Sequence, residues 1–172
     1  MRKVRSDKKI HVSPTAPIKT KELLYELAYL LDCPAKNLIE AIIIECIEDP
    51  QLMQKLSQYY KRDIRIYETS YFGSPQPTTI EKIEGETARL STRLQSVTNE
   101  GLQSIAYAIG CSASKACLLM IETALNDSEF MEYVSSRFAG YERNQREVRR
   151  VLEGSKTVVE KVMDFVINRW DK

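Results

Sequence analysis

Histidine is nearly absent from this chain of 172 residues: His11 is the only one. Glycine and proline together contribute 12 residues, and none of the six glycines lies in a G-x-G-x-x-G, a Walker loop or a G-x-S-x-G elbow. The phosphate cradles and nucleophile elbows that those motifs build are therefore excluded. Nine tyrosines raise the question of a strand-cutting tyrosine nucleophile. Relaxases need a histidine metal cluster for that chemistry, and tyrosine recombinases an Arg/His constellation larger than this chain supplies. Aspartate and glutamate are plentiful, but they fall on polar helix faces and read as solvated. The expectation is a protein without catalytic residues, metal ligands or a cofactor.

Long apolar runs are missing as well. The longest, Ala116 to Ile121, is far short of the roughly 18 residues a spanning helix needs, and no apolar stretch follows the basic start as a signal peptide requires. A cytoplasmic protein without a membrane partner is the expectation. Cys33, Cys46, Cys111 and Cys117 sit inside apolar helical patterns with no C-x-x-C spacing, which reads as buried, reduced thiols rather than disulfides or zinc ligands. The net charge is +1, from 25 basic and 24 acidic residues, so no whole-molecule field announces a polyanionic partner and electrostatics must be argued locally. One local excess exists. Residues 1–12 carry Arg2, Lys3, Arg5, Lys8 and Lys9 against Asp7 alone.

What the chain does contain is a repeat. Slid against itself by 78 residues without a gap, segment 13–57 matches segment 91–135 at 12 of 45 positions. The identities include Ser13/Ser91, Thr20/Thr98, Ala28/Ala106, Tyr29/Tyr107, Cys33/Cys111, Ile43/Ile121, Asp49/Asp127 and Met53/Met131, and the apolar differences are swaps such as Leu31/Ile109.

Each copy reads the same way. Residues 9–16 and 87–94 alternate between polar and apolar or small, apart from Thr92, the period-2 pattern of a half-exposed strand. The alternation turns Ile10, Val12, Pro14 and Ala16, with Ala88, Leu90, Thr92 and Leu94, inward. Leu23, Leu24, Leu27, Leu30 and Leu31, matched by Leu102, Ile105, Ala106 and Ile109, then predict a helix, with Thr20 and Thr98 as N-caps. It ends at Asp32-Cys33-Pro34 or Gly110-Cys111-Ser112, where Pro34 suits a first helical position and Ser112 a cap. A second helix carries Leu38, Ile39, Ile42, Ile43, Cys46 and Ile47, or Ala116, Cys117, Met120, Ile121, Ala124 and Leu125. A short third helix follows Asp49-Pro50 and Asn126-Asp127-Ser128.

One strand followed by two helices, in about 45 residues, resembles the ribbon-helix-helix fold of the Arc/MetJ class of DNA-binding proteins. The most specific piece is Gly110-Cys111-Ser112-Ala113-Ser114-Lys115, similar to that family's Gly-x-Ser turn into its second helix; the first copy departs from it, with Asp32 for Gly and Pro34 for Ser. The resemblance implies a mostly α protein in which the two units pair their strands as a two-stranded antiparallel ribbon, followed by a C-terminal helix. The expected organisation is a basic arm (1–7), unit one (8–61), a Tyr-rich linker with a small hairpin (62–86), unit two (87–139) and a C-terminal helical segment (140–172). A lone strand exposes its hydrogen-bonding groups, so neither unit folds by itself, and a linker of roughly 30 residues at about 3.3 Å each permits pairing within one chain.

The resemblance further implies a partner, double-stranded DNA, and a ribbon lying in its major groove. The outward positions Lys9, His11, Ser13, Thr15, Thr87, Arg89, Ser91 and Arg93 then become the base-reading set. Arg89 and Arg93 suit bidentate contacts with guanine. Phosphate contacts fall to Arg2, Lys3 and Arg5 in the arm and to the helix starts at Ala35-Lys36 and Ser112-Ala113-Ser114-Lys115. The implied roles are a transcriptional repressor or a plasmid or mobile-element regulator, with a relaxosome accessory protein or an antitoxin-like interaction module as alternatives. A helix-turn-helix, suggested by Ala106 and Gly110, is opposed by the apolarity of the second helix. The stripe Val148, Val151, Leu152, Val158, Val159, Val162, Val166 and Trp170 reads either as a helix packed on the core or as a self-association surface.

Overall fold

A computed structural model describes residues 8–154, and these residues hold short antiparallel strand pairs and seven α-helices. In chain order they are β1 (Ile10–Val12), β2 (Thr15–Pro17), α1 (Ile18–Leu30), α2 (Ala35–Glu48), α3 (Pro50–Leu56), β3 (Ile64–Ile66), β4 (Thr69–Tyr71), β5 (Thr87–Arg89), β6 (Thr92–Leu94), α4 (Ser96–Ile109), α5 (Ala113–Leu125), α6 (Ser128–Ser135) and α7 (Tyr141–Gly154). Arg2, Lys3, Arg5, Val158, Val159, Val162, Val166 and Trp170 lie outside the described residues.

β1 pairs with β6, and β2 with β5, both antiparallel and both within the chain. The two pairings share one register: Ile10 faces Leu94, Val12 faces Thr92, and Ala16 faces Ala88. They are two halves of one ribbon, parted at Pro14 for a chemical reason. The Leu90 amide donates to the Pro14 carbonyl at 2.9 Å, but Pro14 has no N–H to return. The Ser13 hydroxyl donates to the Leu90 carbonyl instead, also at 2.9 Å.

Of the positions expected inside, Val12, Pro14, Ala16, Leu90, Thr92 and Leu94 are buried and Ala88 is half-buried. Ile10, at the ribbon's outer end, is 39% exposed, contrary to expectation. Thr92 breaks the alternation without penalty because its buried hydroxyl donates to the Lys36 carbonyl in the first turn of α2, at 2.9 Å.

The two helix starts correct the sequence reading. α1 begins at Ile18, behind Pro17, and α4 at Ser96, behind Gln95, neither with a side-chain cap. Thr20 and Thr98 are thus third helical residues, not caps. Both helices leave directly from extended backbone, and the Ile18 N–H, the first of the amides at the start of α1 that have no partner within the helix, donates to the Glu86 carbonyl at 3.0 Å. Pro34 likewise stands at the N-cap of α2 rather than inside it. Asp32 and Gly110, equivalent in the repeat, both adopt left-handed backbone, with φ of 54° and 78°. Each is followed by a cysteine amide that reaches back five residues, Cys33 to Ala28 and Cys111 to Ala106. The turn is therefore the same in both copies; aspartate accepts a conformation that glycine adopts freely.

Every apolar residue expected on the second helix of either copy is buried, and α2 packs against α5. Burial pushes the Cys46 and Cys117 thiols up to about 12, whereas Cys33 and Cys111, expected to be buried too, are only half-buried because they stand in the turns after Asp32 and Gly110. α3 and α6 start at Asp49 and Asp127, equivalent in the repeat, whose carboxylates accept from amides of the first turn. Partial burial acts to raise the Asp127 carboxyl, but a hydrogen bond from the Lys55 ammonium and the Phe130 and Glu129 amides outweigh it and hold the group below the ordinary carboxylate range. Its contribution is accordingly present above its unfolded pKa and lost as pH falls through the depressed folded value. Asp127→Ala is expected to cost about 1 kcal/mol at neutral pH, a difference that shrinks below the carboxylate range, as read by urea unfolding at both pH values.

The linker does more than connect. Ile64, Ile66 and Tyr71 of the β3–β4 hairpin are buried, β3 packs on α4, and Tyr60 is wholly enclosed. Not every acidic side chain is solvated either. Glu45 is buried and ion-paired with Arg137, and Glu122 is half-buried, its carboxyl raised by burial. For Glu45, α2 turns the carboxylate toward Arg137 rather than toward water.

α7 packs on α1 and α6 with Val148 and Leu152 buried, so the described part of the C-terminal stripe is a core face. The approach is set by Gly140: a Cβ there would stand 2.6 Å from the Leu30 oxygen and from the Leu31 carbonyl carbon. Because these are backbone atoms that cannot swing aside, Gly140→Ala is expected to cost about 3 kcal/mol, measurable as a lowered urea midpoint. Among the described residues no single helix is long and apolar enough to cross a membrane.

Candidate nucleic-acid interface

The polar edge of the ribbon follows from its register. His11 stands opposite Arg93 and Thr15 opposite Arg89. His11, Thr15, Thr87, Arg89, Ser91 and Arg93 are all exposed. Neither the Arg89 nor the Arg93 side chain has an ion-pair or hydrogen-bond partner among the described residues, so both guanidinium groups are available. The His11 ring nitrogen Nε2 lies 2.8 Å from the Ser91 hydroxyl, joining the two strands across their outer face.

Two members of the expected base-reading set are engaged elsewhere. Ser13 is half-buried with its proton committed to Leu90, so it closes the ribbon rather than projecting from it. Lys9 is held by both carboxylate oxygens of Glu40 on α2, at 2.7 and 2.9 Å. The equivalent of Glu40 in the second copy is Leu118, so no such clamp acts on Thr87.

The helix starts differ in strength. α5 is capped by Ser112, whose hydroxyl accepts from the Lys115 amide at 3.3 Å, whereas α2 has only Pro34 before it. Lys36 and Lys115 are exposed, and Ala35, Ala113 and Ser114 are half-buried. The Thr92–Lys36 hydrogen bond sets the first turn of α2 beside β6.

Sequence reasoning missed Lys61 and Arg62. The amides of both donate to the Ala108 carbonyl, at 2.7 and 3.3 Å, which brings their side chains over Gly110. Arg62 donates to the Tyr107 carbonyl at 2.6 Å and lies over the Tyr107 ring, 4.6 Å from its centre. Burial raises the Cys111 thiol, while Lys115 and Lys61 act against that rise, which sets both cations near the α4–α5 turn. No local signal marks this cluster, because only the docked linker brings residues 61–62 to residue 110.

Among the described residues no group of three or more His, Cys, Asp or Glu side chains is arranged to hold a metal ion. Compared with protein-family models, with curated proteins and with solved structures, the chain matches none.

Proposed function

We propose that this chain is a tandem ribbon-helix-helix protein that binds double-stranded DNA in a sequence-specific manner, its single-chain ribbon lying in the major groove. The observation that carries this reading is the shared ribbon register, which leaves Arg89 and Arg93 exposed and unpaired on the face opposite the core. Two-stranded ribbons fit that groove, and guanidinium groups read guanine bidentately. Lys36 and Lys115, at the positive ends of α2 and α5, would contact flanking phosphates, joined by Arg2, Lys3 and Arg5. A repressor or a regulator of a plasmid or mobile element is the role this chemistry serves.

A helix-turn-helix is the second reading, favoured by the 95° bend between α4 and α5. Against it, Leu118, Leu119 and Met120 are buried, and the remaining surface of α5 offers few groups to bases. Substitutions in the ribbon and in α5 separate these two readings, while DNA binding across a range of salt concentrations separates both from an antitoxin-like interaction module. Neutralising Arg2, Lys3 and Arg5 together is expected to weaken binding to all sequences alike and to flatten the salt slope by up to about 0.9 per lost phosphate contact. Replacing Glu122 and Thr123 on α5 is expected to leave base preference intact. If α5 substitutions altered preference while ribbon substitutions did not, the ribbon assignment would be wrong.

A further inference from the structure

We infer that the DNA site this ribbon reads is not a palindrome, and that its two halves are specified by different chemistry. The inference rests on the DNA-binding reading above and names the class of site.

The register supplies a local twofold axis. Because His11 faces Arg93 and Thr15 faces Arg89, the axis passes between Ser13 and Ser91, which are equivalent and identical in the repeat. A ribbon of two identical strands would present the same side chains on both sides of that axis, and twofold-symmetric DNA would match it. Here the backbone keeps the symmetry and the side chains break it. The 78-residue offset makes His11 equivalent to Arg89, Thr15 to Arg93 and Lys9 to Thr87. One half of the outer face is therefore His11 with Arg93, and the other is Thr15 with Arg89.

Three further features deepen the difference. Lys9 is drawn off by Glu40, whereas Thr87 has no such clamp. The His11 ring is joined to Ser91, whereas its equivalent Arg89 makes no such bond to Ser13, whose hydroxyl donates to the Leu90 carbonyl instead. Both free guanidinium groups belong to one strand, four residues apart, which is about 13 Å at roughly 3.3 Å per residue, or about four base-pair steps of 3.4 Å. The site is thus expected to hold two strongly specified guanines about four steps apart, with the two positions related to them by the twofold axis only weakly specified. Replacing either guanine should lower affinity about 5- to 150-fold, and replacing their symmetry mates much less.

Selection of bound duplexes from a random pool tests this, using the full chain and a His11→Arg/Thr15→Arg variant that makes the strands match at these positions. The wild-type chain should enrich a non-palindromic site, and the variant an inverted repeat with guanine preference at all four positions. The reciprocal variant, Arg89→His/Arg93→Thr, should also enrich symmetric sites, but without the strong guanines. A palindrome enriched by the wild-type chain overturns this inference and leaves DNA reading by the ribbon standing. An unchanged asymmetric site in His11→Arg/Thr15→Arg overturns it too, since the asymmetry would then arise outside the ribbon. Failure of the wild-type chain to enrich any duplex overturns the DNA-binding reading itself, and this inference with it.

Discussion

Leu90→Ala is expected to remove about 2–5 kcal/mol of stability, the range for truncating a large aliphatic side chain in a closed core. Leu90 is 1% exposed and lies at the seam of the ribbon, its amide bound to the Pro14 carbonyl and its carbonyl to the Ser13 hydroxyl. The ribbon is in turn held from both sides, α2 packing on β6 and α5 on β2, so each copy's second helix rests on the other copy's strand. Loosening this seam loosens both copies at once, and a single cooperative transition should shift. Because the strands pair within one chain, the urea midpoints of wild type and variant should not depend on protein concentration. A midpoint that rises over a hundredfold increase in concentration would mean that strands pair between chains.

Arg89→Ala and Arg93→Ala are each expected to weaken binding to the specific DNA site by about 1–3 kcal/mol and to relax preference at particular base pairs, while non-specific binding falls much less. Both side chains are exposed and without partners among the described residues, so stability should change by no more than about 0.5 kcal/mol and the binding loss can be assigned to recognition. Lys9→Ala is the informative contrast. Lys9 is already committed to Glu40, so its removal should affect base preference least among the basic ribbon positions. Wild-type specificity in both arginine variants, measured by competition against scrambled duplex, would sink the assignment of Arg89 and Arg93 as base readers.

Much of the local structure was legible because its determinants lie close together in the chain. Alternation over eight residues marked the ribbon strands, and 3.6-residue periodicity marked the apolar faces of α2 and α5, all of whose expected core residues are buried. Asp49 and Asp127 announced the third helices, since an aspartate capping a first turn acts over two or three residues. Helix starts were less legible. Thr20 and Thr98 looked like caps, yet α1 serves its first amide through Glu86, nearly seventy residues away in sequence and adjacent only once the ribbon has formed.

By itself, then, the sequence determined that two copies of a strand-and-helices unit exist, which face of each is apolar, and which side chains lie on the polar edge of the strands. Periodicity and repetition are properties of the chain and need no third dimension. Tertiary structure alone decided which of those polar groups are free. Ser13 is consumed because Pro14 leaves a carbonyl unserved across the ribbon; Lys9 is consumed because α2 carries Glu40 within reach; and Lys61 and Arg62 reach Gly110 because the linker docks on α4. Each of these depends on a partner more than ten residues distant, and the energy of a polar contact is set by distance in space, which a one-dimensional pattern does not contain.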